Sequence, residues 1–410
     1  MILFLFLQKI LTLNLLSTMK RTIILSVILA SIMTFSCHRR KPDEKGGQIM
    51  AYYYTSWANF KPETLPLEKL THIIFSFTEV IDGEMKFPED TLGIMLKMLV
   101  KEKKNHPKLK VMVACGGWAG SKGFSDMAKT DEGRKKFVQS AMKFIKEYKI
   151  DGIDIDWEYP GLPGANNPYL PEDKQNFTKL MCELKQEMNK ICDYLVLSWA
   201  SAGWERAFEF IELDKVMQCV NYINVMSYDL AGGGDPYTSH HTNLGFITME
   251  DLEGTPASEI MISRGDPTKP FSTEKIVRYL LSNGVNPSQI VIGSNFSGRA
   301  WQGVPPENNG LYQTTKGRWS GRAGYSNIRE NLEDKNGFVR YWDPVAQAPY
   351  LYNAIDSVFI TYDDTMSVRM KTKYAFDNGL GGIMFWQIGA DTPKDGLVDA
   401  IFAEKMRNKK

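Results

Sequence analysis

Three carboxylates at alternate positions, Asp154, Asp156 and Glu158, are interleaved with Ile153, Ile155 and Trp157. A period of two is the side-chain pattern of a β-strand, so the acids share one face and the apolar residues the other. Successive acids are then about 7 Å apart along the strand. Burial disfavours the charged form of each, and negative neighbours disfavour it further, so one carboxyl keeps its proton near neutral pH. Such a group is a general acid, and a general base once the proton has left. Gly152 and Pro160 bracket the run. A calcium loop starting at Asp154 is excluded, because Tyr159 stands where that loop needs glycine and Ala165 where it needs a bidentate glutamate.

A strand that buries three acids needs a large scaffold around it. Short β-rich runs at 49–54, 72–77, 109–115, 150–156, 195–200, 222–227, 290–293 and 382–386 alternate with helix-patterned segments such as 134–148, 174–191 and 273–282. Eight βα units predict an α/β fold, a (β/α)8 TIM barrel, in which the carboxyl ends of the strands carry the site. Glu158 falls at the end of the fourth strand. Other strand ends offer Tyr53, Phe77, Gly117 with Trp118, Met226 with Tyr228 and Asp229, and Trp386. The seventh and eighth strands are far apart, and residues from about 303 to 355 predict a small α+β insertion between them, one wall of a groove.

The 410 residues carry 49 basic and 48 acidic side chains, a balance that points to no nucleic acid or polyanionic partner. Residues 1–37 are read as an export segment: Met19-Lys20-Arg21 precede an apolar stretch, and Ser36-Cys37 resembles a lipoprotein processing site, with Cys37 as a lipid anchor in the bacterial cell envelope. Secretion after ordinary cleavage is the alternative. Residues 38–47 form a charged tether and 48–405 the catalytic barrel. Cys115, Cys182, Cys192 and Cys219 fit no zinc spacing and are expected to be buried thiols, with a disulfide left open. His72, His106, His240 and His241 show no ligand spacing, so neither a metal nor a cofactor is expected.

The run Asp151-Gly-Ile-Asp154-Ile-Asp156-Trp-Glu158 matches the DxxDxDxE signature of family 18 glycoside hydrolases, and the chain resembles the chitinases of that family from about 48 to 405. Tyr53-Tyr-Thr-Ser-Trp57, Lys110 to Trp118, Met226-Ser-Tyr-Asp229, Gly298-Arg299, Tyr341-Trp-Asp-Pro344, Ile360 to Asp364 and Gly381 to Trp386 extend the likeness. The resemblance implies a chitin or chitooligosaccharide substrate and a retaining, substrate-assisted hydrolysis with Glu158 as acid and base. Asp156 then receives the acetamido N–H, Asp154 shares a proton with Asp156, and Tyr228 holds the acetyl carbonyl. Asp229 and Arg299 hydrogen-bond the sugar beside the cleaved bond. Trp386 is the floor, with Tyr53, Phe77, Gly117 and Met226 around it, and Trp57 and Trp118 are stacking platforms. Asp151, of opposite parity, shapes the strand entrance.

Two departures stand out. Ala114-Cys115 before Gly116 removes a hydroxyl that the third-strand motif usually carries, and Ser297 replaces an aromatic, which widens the cleft beside the cleaved bond. An endo-β-N-acetylglucosaminidase acting on N-glycan cores and a non-catalytic chitooligosaccharide-binding protein are the alternative readings.

Overall fold

The computed structural model describes residues 46–265 and 269–408. The proposed export segment and Cys37 lie outside the described residues. Of the described residues, 46–188, 195–265 and 269–408 belong to one compact unit; residues 189–194 hold the end of a helix and a turn.

In chain order the strands are β1 (Gln48–Tyr53), β2 (His72–Ile81), β3 (Glu84–Lys86), β4 (Lys110–Gly116), β5 (Gly152–Asp156), β6 (Val196–Ala202) and β7 (Tyr222–Met226). They continue as β8 (Ile290–Asn295), β9 (Arg299–Gln302), β10 (Phe338–Asp343), β11 (Ala348–Asn353), β12 (Val358–Thr361) and β13 (Gly382–Trp386). The order β1-β13-β8-β7-β6-β5-β4-β2, closed by pairing of β1 with β2, makes an eight-stranded parallel barrel. The expected (β/α)8 architecture is therefore the one the chain adopts. Met50, Tyr52, Ile74, Met112, Ala114, Val196, Tyr222, Val291 and Met384 fill its interior.

Helix Asp131–Tyr148 delivers the chain to β5. Thr130 caps it by accepting from the Gly133 N–H, and Lys149 ends it in a left-handed conformation, φ 57°. Asp151 then accepts from the Val111 N–H at 2.9 Å and pairs with Lys103 at 2.6 Å, which fixes the entrance of β5 against β4. On the outer face Trp157 is 1% exposed and stacks on Phe124 with ring centroids 5.1 Å apart. That anchor sets which side of β5 faces inward.

β10, β11, β12 and β9 form a second, antiparallel sheet. It begins at Arg299 and ends at Thr361, so it reaches beyond the 303–355 window on both sides. Its core is shared with the long connection after β7: Tyr237, Ile247, Leu252, Ala257 and Met261 pack with Trp301, Tyr350 and Phe359. No local pattern in the sequence announces that partnership, because the two segments are far apart in the chain. Asp363, at the end of β12, binds this region to the barrel. Its carboxylate accepts from Ser294 of β8 at 2.7 Å, Thr242 at 2.9 Å, Ser367 at 2.7 Å and Lys371 at 2.6 Å.

Cys182 and Cys219 form a disulfide, Cα–Cα 4.9 Å, and Cys192 is disulfide-bonded as well, which corrects the expectation of thiols at those three positions; Cys115 is a buried thiol. Cys182 falls in the helix-patterned segment 174–191 and Cys219 ends the short helix Leu213–Cys219, and nothing local in the sequence gives their separation in space.

Lys371 and Asp363 are fully buried, so Lys371→Met strands a carboxylate without its cation and should cost about 3–5 kcal/mol. Lys373→Met breaks only an exposed helix pair with Asp377 and should cost under about 0.5 kcal/mol. Urea unfolding of the two variants checks the contrast.

Candidate active site

Alternation along β5 sends Asp154 to the barrel axis, where no water shell supports its charge. Its Oδ1 accepts from Ser198 Oγ on β6 at 2.5 Å and Asn224 Nδ2 on β7 at 3.0 Å, and its Oδ2 from the Tyr52 hydroxyl on β1 at 2.8 Å. Burial is the largest influence and raises the Asp154 pKa, while the donors from Ser198, Tyr52 and Asn224 pull against it. Asp156 is 5% exposed, and its Oδ1 has no hydrogen-bond partner among the described residues. Burial, then the charges of Glu158 and Asp154, push its pKa well above the carboxylate range.

Glu158 sits where β5 ends. Ser121 Oγ accepts from its N–H at 2.9 Å and donates to the Asp156 carbonyl at 3.0 Å, pinning the strand end. Burial lifts the Glu158 carboxyl to about 7; a hydrogen bond from Tyr159 opposes this and the Asp229 charge adds to it. The group is thus poised to give and take a proton near neutrality.

Tyr228 and Asp229 follow β7. The Tyr228 hydroxyl is buried with Met384 Sδ at 3.9 Å, and burial together with the Asp156 and Asp229 charges raises its pKa, so it keeps its proton and can donate it. Asp229 lies in the left-handed region, φ 56°, which aspartate tolerates better than most residues. Its carboxylate meets Arg299 Nη2 at 2.6 Å and His241 Nδ1 at 3.5 Å. Burial alone would raise its pKa, but His241 and Arg299 outweigh it and hold Asp229 below the usual range.

Trp386, at the end of β13, supplies an apolar surface. Its ring stacks on Phe77 at 5.6 Å and Tyr54 at 5.8 Å and tilts against Tyr52 at 6.1 Å. Gly117 lies beneath Phe77 with φ +83°, and a Cβ there would stand 2.9 Å from the ring, so glycine is required. Trp118 is 57% exposed at the rim, and Met226 is half-buried against the barrel interior.

The structure corrects one expected cleft residue. Tyr53 is turned outward, 3% exposed, and stacks on Phe60 at 5.7 Å. Strand parity is the reason: with Met50 and Tyr52 facing in, Tyr53 must face out, and Tyr52 and the exposed Tyr54 occupy the site instead. The Trp57 side chain lies outside the described residues. Tyr52, Ser198, Asn224 and Ser121 were not anticipated; the register of Asp154 with Ser198 across β5 and β6 was the signal that single-strand reading does not contain.

The model of glycosyl hydrolases family 18 matches residues 49–391. The chain belongs to that family. Chitinase A1 of Niallia circulans is 31% identical over 91% of this chain, and Chitinase B of Serratia marcescens 28% identical over 82%. The alignments cover 60% and 76% of those proteins respectively. A solved structure described as a family 18 N-acetylglucosaminidase from Paenibacillus barengoltzii superposes with TM-score 0.77 at 32% identity, covering 88% of this chain and all (100%) of that one. The family match takes in β5 and every residue named above for the site.

Carboxyl 13C NMR should show Glu158 titrating near pH 7. Asp229→Asn removes a negative charge that favours the protonated form, so the midpoint should move to lower pH. An unmoved midpoint would rule out electrostatic contact between the two groups.

Proposed function

We propose that the protein is a chitinase that hydrolyses β-1,4 bonds between N-acetylglucosamine units by a retaining, substrate-assisted mechanism. The observation that carries this reading is the buried row Asp154, Asp156 and Glu158 beside the Trp386 platform, with the Glu158 carboxyl held near 7. An N-acetyl sugar resting on Trp386 presents its glycosidic oxygen to Glu158 and its acetamido group to Asp156 and Tyr228. Glu158 gives its proton to the glycosidic oxygen as the bond to the anomeric carbon breaks. The acetyl carbonyl oxygen attacks that carbon from the other face, and the positive charge spreads over a bicyclic oxazolinium ion. Asp156 accepts the acetamido N–H and balances that charge, the electrostatic role of a preorganised, water-poor site. Tyr228 donates to the carbonyl oxygen and aligns it for attack. Water, deprotonated by Glu158, then opens the ring on the original face. Asp229 and Arg299 bind sugar hydroxyls next to the cleaved bond, and Tyr54, Phe77 and Trp118 carry sugar faces along the groove.

The names of Chitinase A1 and Chitinase B support a chitin substrate for this chain. The Paenibacillus barengoltzii relative, described as an N-acetylglucosaminidase, favours a second possibility, release of single sugars from chain ends. The sheet β9 to β12, standing beside the barrel, supports a linear chain over a branched N-glycan.

We further read residues 1–37 as an export segment with lipid attached at Cys37. The Cys182–Cys219 disulfide supports an oxidising compartment. Among the described residues no helix is long and apolar enough to cross a membrane. Mass spectrometry of the N-terminal peptide from the native host should find a diacylglyceryl adduct on Cys37; an unmodified or internally cleaved peptide would refute the anchor.

The activity is tested by incubating residues 38–410 and the Glu158→Gln variant with N-acetyl-chitohexaose and a high-mannose glycopeptide. The hexamer should yield chitobiose or chitotriose, and Glu158→Gln should lower the rate about 10²–10⁴-fold. Monomer and pentamer as the first product pair would establish end-acting release of single sugars, glycopeptide cleavage alone would reassign the enzyme to N-glycans, and no product from either would leave a binding protein.

A further inference from the structure

The chain as a whole is nearly neutral, net +1, but its charges are not evenly placed. In a parallel barrel every strand starts at one end, and the carboxyl ends, here with Asp156, Glu158 and Asp229, lie at the other. At the starting end, the segments that lead into β4 and β5, residues 101–110 and 146–151, hold seven lysines against three acids. The two segments are neighbours. β4 pairs with β5, and Lys103 of the first segment reaches Asp151 at 2.6 Å and the Lys149 carbonyl at 3.3 Å in the second. That contact neutralises Asp151. Lys101, Lys104, Lys108, Lys146 and Lys149 are all exposed, and none of the five has an ion pair among the described residues. Lys101 and Lys146 fall in the last turns of helices, where a cation interacts favourably with the helix dipole. Lys104 and Lys108 lie past the end of helix Asp90–Lys101, so the dipole does not account for them. The chain also enters the barrel at this end: Gly46 and Gly47 precede β1, and the Gln48 N–H donates to the Gly381 carbonyl, just before β13, at 2.9 Å. The residues read as a tether, 38–47, add Arg39, Arg40, Lys41 and Lys45 against Asp43 and Glu44.

We propose that this end of the barrel is a docking surface for an anionic lipid bilayer, which Lys101, Lys104, Lys108, Lys146 and Lys149 face while the cleft opens away from it. Exposed lysines spread over two adjoining loops fit an extended anionic surface and not one small anion. Each gains from the negative potential of such a surface, within a Debye length of about 8–10 Å at moderate salt. None gives up an ion pair to do so. A polybasic patch of this kind supplements a lipid chain and fixes which side of the protein meets the headgroups. The inference deepens the envelope reading given above: Cys37 stands nine residues before Gly46, a span of at most about 30 Å when fully extended. An anchor there holds the lysine end, and not the cleft, next to the lipid. Polymer chains then reach Glu158 from the side facing away from the membrane. The docking surface requires no particular substrate in the cleft.

Residues 38–410, the protein freed of its export segment and carrying no lipid, should be mixed with vesicles of phosphatidylcholine alone and of phosphatidylcholine with phosphatidylglycerol. Sedimentation should show binding to the mixed vesicles only, weakening as salt is raised. The variant Lys104→Glu/Lys108→Glu/Lys146→Glu should bind at least about 100-fold less tightly, the effect of losing three cations near an anionic surface. It should keep the wild-type Tm, since all three side chains are exposed and unpaired among the described residues. Lys316→Glu/Arg318→Glu/Arg322→Glu makes the same charge change on exposed residues beside β9, at the cleft end, and should bind as the wild type does. Equal binding to both kinds of vesicle would overturn the proposal, as would undiminished binding by the lysine variant or an equal loss in the β9 variant. Absence of binding to the mixed vesicles would overturn it too, and capture by heparin in that case would reassign the lysines to a soluble polyanion. The readout needs neither catalysis nor a lipid on Cys37, so failure of the activity assay or of the anchor is seen separately from failure of the docking surface.

Discussion

Desolvation of three carboxyls on a single strand is the constraint on which the rest of the molecule depends. Taken alone, burying Asp154, Asp156 and Glu158 within one barrel is unfavourable, because each charge loses its water and repels the next. The structure meets that demand in a graded way. Asp154, deepest, receives donors from Ser198, Asn224 and Tyr52; Asp156 keeps one oxygen without a partner among the described residues; Glu158, at the mouth, is left with a carboxyl near 7. The gradient along β5, from fully anchored to poised, separates structure from chemistry over a few residues.

Much of the surrounding architecture serves to hold that gradient still. Trp157 on the outer face locks the strand against rotation, Ser121 ties its end to the Gly117 turn, and Asp151 ties its start to β4. Across the mouth, Arg299 and His241 keep Asp229 ionised, and its charge helps keep the proton on Glu158. Arg299 is the first residue of the second sheet, which Asp363 and Lys371 join to β8. The inserted sheet is therefore connected to the electrostatics of the site as well as to the shape of the groove.

How far the sequence could be read divides along the same physical lines. The eight barrel strands were legible because continuous β-rich runs between helical patterns are a local signal, and the acid row was legible because a period of two is local as well. Tyr53 was placed in the cleft by its position near a strand end, where one step of parity puts Tyr52 inside and Tyr53 against Phe60. Ser198, Asn224 and Tyr52 became visible only when β1, β6 and β7 were brought around β5, since their contribution is a matter of register between strands far apart in the chain. The disulfide between Cys182 and Cys219 and the core shared by the β7–β8 connection with the second sheet belong to the same long-range class.

In the proposed mechanism the one carboxyl just past the end of β5, Glu158, works as acid and then as base, while the nucleophile comes from the substrate. Product stereochemistry tests this most directly. Time-resolved 1H NMR of N-acetyl-chitohexaose hydrolysis should show the β-anomer at the newly formed reducing end before mutarotation, because two displacements at the anomeric carbon restore its configuration. Initial appearance of the α-anomer would mean a single displacement by water, which requires a second carboxylate as base and would contradict the account.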